Sequence, residues 1–191
     1  MTVAITAATT LVVAGLGFLF TYFHSRRLQE RNDRLTRINR QLGELYGPAF
    51  ALTDSTRISF EAFRSRYGDI RQQKEQQEVL SAEQVSAWRC WMTTIFQPAN
   101  KRAFELIMTK GDLLLDEEMP ECVSQFCAHV TSYDVVLEGW KGDSPDIFAV
   151  VDCPPDFTDY VRVSYRTLKR RQSVLLAEGV SRSEILTSNA T

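Results

Sequence analysis

The densest set of groups able to do chemistry is acidic: Asp116, Glu117, Glu118 and Glu121 lie within six residues of one another. Carboxylates this close can share a proton for acid–base work or hold Mg²⁺ or Ca²⁺ through oxygen. On a connector between helices the same residues face water and act electrostatically. From Asp112 to Asp159 there are twelve carboxylates against one base, Lys141. That excess balances basic stretches at 24–40 and 162–171, a pattern suited to docking against the chain itself or a partner.

Metal ligation finds little support in the sequence. The two histidines are His24 and His129. A helical Glu-x-x-His site needs a carboxylate three residues before the histidine, and the residue three before His129 is Phe126. Cys122 and Cys127 are five apart, about 140° round a helix, so they do not converge on one ion. The four cysteines form no CxxC and are read as ordinary buried thiols. No P-loop, no strand-borne G-x-G-x-x-G and no G-x-S-x-G elbow occurs. Neither a metal, a cofactor nor a small-molecule substrate is therefore expected.

The elements that would carry these residues follow from hydropathy. Thr2–Phe23 holds no charge over 22 residues, about 33 Å of helix against a hydrocarbon core of about 30 Å. This predicts an N-terminal transmembrane helix, residues 1–23. A cleaved signal peptide fits less well, because Met1–Thr10 has no Lys or Arg. Six arginines follow, Arg26, Arg27, Arg31, Arg34, Arg37 and Arg40, against Glu30 and Asp33. The positive-inside rule then predicts a single-pass membrane protein with its N-terminus outside and residues 24–191 cytoplasmic. The same arginines are candidates for membrane-surface binding, with the lipid bilayer as a partner. Nucleic acid is not expected, because no reading motif accompanies them.

Residues 24–47 read as a basic juxtamembrane amphipathic helix. Leu28, Leu35, Ile38, Leu42 and Leu45 follow a/d spacing, with Arg31 at the one interrupted position. Two uses of that stripe stand open: a short parallel coiled coil, or packing on the chain's own domain. Gly47 is read as a helix stop and Pro48 as the start of the next helix, which makes Tyr46, Gly47 and Pro48 a hinge.

Residues 48–178 read as an antiparallel helical bundle, with a flexible tail at 179–191. Ala49, Leu52, Thr56, Phe60, Phe63 and Tyr67 form one helical stripe, and Gly68 closes it. The Gln-rich stretch 71–78 is a solvated turn or linker. Ser81-Ala-Glu-Gln84 is a capping box opening a helix with Val85, Trp88, Trp91, Met92, Ile95 and Phe96 on its apolar side. Pro98 must kink or restart that helix. Trp88 and Trp91 share a face and are a possible interface. Met119, Val123, Phe126, Val130, Tyr133, Leu137 and Trp140 alternate four and three and must enter a core. Ile147–Val151 is either a short strand or an extended stretch, and a last helix carries Phe157, Val161, Tyr165, Leu168 and Leu175.

The segment Asn39-Arg-Gln-Leu-Gly-Glu-Leu-Tyr-Gly-Pro48, with Trp88-Arg-Cys-Trp-Met92 and Asp116-Glu-Glu-Met-Pro-Glu-Cys122, resembles a group of uncharacterised bacterial single-span membrane proteins. The resemblance implies a bacterial inner-membrane location and no activity or site residue. The expected class is all-α and the expected function a non-enzymatic, membrane-anchored scaffold or adaptor for a protein partner or a second copy. Two alternatives stand beside it: a regulatory or sensing subunit of a channel, transporter or defence complex, and a metal-dependent enzyme using the carboxylates of 116–121.

Overall fold

The computed structural model describes the backbone of residues 2–142 and 148–188, and the side chains of 15–142 and 148–178. Helices account for nearly all of it, and no strand occurs among the described residues. Phe148–Val151 is irregular, and Ile147 lies outside the described residues. The helices are α1 (Thr2–Arg40), α2 (Gly47–Tyr67), α3 (Ile70–Glu75), α4 (Ala82–Trp91), α5 (Gln97–Lys110), α6 (Glu121–Lys141) and α7 (Asp156–Ser188). The chain forms two compact units, one of Met1–Asn39 with Arg171–Thr191 and one of Arg40–Arg170. In the first, the Gln172 amide of α7 donates to Asn39 Oδ1 of α1 at 2.7 Å.

The expected membrane span at 1–23 is overturned. Among the described residues no helix is long and apolar enough to cross a membrane. The single-pass assignment, with its outside N-terminus and cytoplasmic domain, goes with it. α1 is one continuous 39-residue helix, Thr2–Arg40, that runs from the charge-free segment straight on through six arginines and two acids.

The second unit is a helical bundle organised by two prolines. A proline inside a helix has no N–H to donate, and its ring crowds the carbonyl four residues back. Here the helical path passes both prolines by widening the turn before each to π geometry, at Gln41–Tyr46 and at Met92–Phe96. Gly47 donates to the Leu42 carbonyl and Gln97 to the Met92 carbonyl, each reaching back five residues. Gly47 is thus not a stop. Its φ of −66° and ψ of −55° are helical, and a side chain there would overlap the Leu42 carbonyl oxygen.

Around these turns α5 packs against α2, α6 and the first π turn. One core joins Ala49, Ala103, Ile107, Val123, Phe126, Val130, Phe157 and Val161. Phe126 and Phe157 stack there at 3.9 Å between ring centres. A second core joins Phe63, Ile70, Trp88, Met92, Phe96, Tyr133, Val136 and Ala149. The Ser81–Gln84 capping box forms in both directions. The Gln-rich stretch begins with α3, capped by the Asp69 side chain and anchored by the fully buried Ile70. Ile95 is 38% exposed, although α-helical spacing puts it with Trp88 and Met92. The widened turn rotates it outward.

Gly47→Ala should therefore destabilise the bundle by about 1–3 kcal/mol, as overpacking against backbone does. Gly43→Ala, where a side chain meets open space, should be neutral or slightly stabilising. Urea midpoints of the two variants check this.

Candidate functional site

Two adjoining cavities in the Arg40–Arg170 unit, of about 420 and 340 Å³, form a groove and share Thr56, Phe60, Arg71, Asn100, Cys153 and Pro155. Each wall has a local cause. On α2, Thr56 and Phe60 are one turn apart and line the same side. The Asp69 cap starts α3 so that Ile70 points into the core while Arg71, Lys74 and Glu75 reach the groove.

The third wall is Trp88, Met92, Phe96 and Asn100. Three successive four-residue steps in an unbroken α-helix would rotate the last residue by roughly 120° from the first. The middle step crosses the π turn, where four residues fall short of a full turn and rotate the stripe back. All four therefore line one cavity. The fourth wall is His129 and Tyr133 of α6, closed by Phe148, Asp152 and Cys153 from the irregular segment before α7.

The polar groups inside are specific in state. His129 is buried, and its Nδ1 lies 2.7 Å from the Val151 carbonyl. Nδ1 must carry the proton there, which leaves Nε2 as a lone pair. Burial holds the His129 pKa below its ordinary value, against the pull of that hydrogen bond. The Tyr133 hydroxyl accepts from Trp88 Nε1 at 2.9 Å, and burial pushes its pKa far above the phenol range. Burial likewise raises the Cys153 thiol, although the Arg71 guanidinium beside it pulls the other way. Cys153 is a thiol at neutral pH rather than a ready nucleophile. Arg71 lies over the Phe60 ring at 4.7 Å, and Lys74 over Phe148 at 5.0 Å.

The residues singled out from sequence fall elsewhere or take other roles. Trp88 is 3% exposed and forms groove wall and core. Trp91 is half-buried against Phe63 and Phe96. Tyr46 is buried, with its hydroxyl 2.8 Å from that of Tyr160 and accepting from the Leu115 N–H at 3.0 Å. Tyr160 donates to Asp116 Oδ2 at 2.9 Å. Glu117, Glu118 and Glu121 are exposed, and no group of three potential metal ligands occurs among the described residues. Arg26 pairs with Glu30 at 3.3 Å, and Arg40 with Glu44 at 3.2 Å. Arg27, Arg34 and Arg37 are exposed, Arg31 is half-buried, and Pro48 opens α2 behind Gly47.

Sequence reasoning missed the groove because its walls come from five separated segments. The one local signal is the 88, 92, 96, 100 spacing ahead of and across Pro98. No family model, no curated protein and no solved structure matches the chain.

The depressed His129 pKa has a consequence for stability. The unfolded chain takes up a proton near the ordinary histidine value, and the folded chain resists it. The stabilisation is therefore complete above about pH 6.5 and is lost as pH falls toward and through the folded value. Unfolding midpoints should drop between pH 7.5 and pH 5.5, and His129→Gln should flatten that drop.

Proposed function

We propose that the chain is a non-enzymatic helical adaptor that holds an acidic protein partner through α1. One observation carries the reading. Leu16, Phe18, Leu19, Phe20, Tyr22 and Phe23 are all exposed, Phe18 by 72% and Phe20 by 75%. A contiguous apolar run of this kind on a helix outside the bundle marks a contact surface. Directly after it come the six arginines of 24–40 with only two acids. That charge opposes pairing with a second copy and suits a partner whose apolar surface is bordered by carboxylates.

The heptad stripe supports the same choice. Ile38, Leu42 and Leu45 are buried within the chain. Leu28 and the half-buried Leu35 remain, too few for a coiled coil of two copies. A second reading, a regulatory or sensing subunit, is favoured by the groove around Arg71, whose size suits a small molecule.

A photo-crosslinking residue at position 20, in the cells the protein comes from, tests the adaptor reading. The expected result is one adduct with an acidic protein. Phe18→Glu with Phe20→Glu should abolish it, and Arg34→Glu with Arg37→Glu should weaken it severalfold at low salt. No adduct, or an adduct solely between copies of this chain, would contradict the reading.

A further inference from the structure

We propose that the groove around Arg71 binds a small organic anion with a flat apolar body, an aromatic carboxylate whose ring carries an N–H or O–H donor. The head group is assigned by charge. Four cations line the groove: Arg57, Arg71, Lys74 and Arg162. Arg57 is paired with Asp54 and Glu61, Lys74 with Asp152 and Arg162 with Asp159. Arg71 has no carboxylate within ion-pair distance among the described residues, although Glu75 stands one turn on. It sits where the two cavities meet.

The surroundings of Arg71 strengthen the assignment. Its guanidinium carbon lies 4.7 Å from the Phe60 ring centre, and one of its N–H groups is directed to Cys153. A guanidinium has five N–H donors, and those not used on Cys153 suit a carboxylate. The body is assigned by the walls. Trp88, Phe96 and Phe148 line the same cavity as this cation and pack on one another, Trp88 and Phe148 at 5.9 Å and Trp88 and Phe96 at 5.7 Å between ring centres. The donor on the ligand is assigned by His129. Its Nδ1 is committed to Val151, which leaves Nε2 as the acceptor of a side chain that lines the cavity. A volume of about 420 Å³ lies within the usual range for such ligands.

The proposal is independent of the partner surface on α1, and its test leaves α1 unchanged. Indole-3-acetate is the probe, titrated calorimetrically into the full chain. Saturable binding with one site is expected. Arg71→Gln should weaken it about tenfold or more, and the neutral indole-3-acetamide should suffer the same loss. 1-Methylindole-3-acetate, which lacks the ring donor, should bind severalfold more weakly. Arg57→Gln, which changes a lining residue already paired, should bind as the parent does. Both variants are first shown to keep the parent's helical circular dichroism. A second readout, the Arg71 Nε–H resonance, should shift on addition of the acetate and not of the amide. Absence of saturation at millimolar probe, equal binding of acetate and amide, or an Arg71→Gln variant that binds like the parent would each overturn the assignment.

Discussion

Two prolines lie in the path of helices that do not break, and the bundle is built around how that conflict is resolved. A π turn precedes each, and the residue just before each proline donates to the carbonyl five back rather than four. The widened turn keeps the backbone donors satisfied at a cost in helix regularity. It also resets which side chains share a face. At the first turn Gln41, Leu42, Leu45 and Tyr46 all become buried. At the second, Trp88, Met92, Phe96 and Asn100 become one wall of a cavity. Glycine at 47 belongs to this solution, since the close Leu42 carbonyl leaves no space for a side chain.

Buried polar groups complete the same arrangement. Gln41 donates to the Leu113 carbonyl at 3.0 Å, which ties the first π turn to the connector after α5. Gln97, the residue before the second proline, donates to the Val130 carbonyl at 2.9 Å and to Asp134 at 3.0 Å, which ties the second to α6. Lys110 and Arg40 both donate to Glu44, and they hold its carboxyl below the usual range. Each widened turn is therefore held by a side chain as well as by its own backbone. Removing such a partner leaves a buried group unsatisfied.

Much of the fold was legible in the sequence because helical periodicity survives wherever the helix is regular. The α6 stripe is the clearest case: Val123, Phe126, Val130 and Tyr133 are all buried. The capping box at Ser81 is another. Legibility fails where geometry changes locally. Reading Ile95 as core assumes 3.6 residues per turn, reading Gly47 as a stop takes a glycine before a proline for a helix end, and both positions lie at or beside a π turn. The membrane span at 1–23 failed differently: it rested on the absence of charge over 22 residues, and among the described residues no helix is long and apolar enough to cross a membrane. The groove was illegible because Arg71, His129 and Trp88 are far apart in the chain, and no local pattern joins them. The carboxylates of 116–121 drew notice by density, yet what Asp116 does is accept a hydrogen bond from Tyr160.

The register of these backbone hydrogen bonds is directly observable. Through-hydrogen-bond couplings between amide nitrogen and carbonyl carbon, recorded on the isotopically labelled full chain, identify each acceptor by residue. Cross-peaks from Gly47 to Leu42 and from Gln97 to Met92 are the predicted result. Cross-peaks from Gly47 to Gly43 and from Gln97 to Thr93 would mean ordinary α-helical turns ahead of both prolines, and would contradict the account of the bundle and of the groove wall built on it.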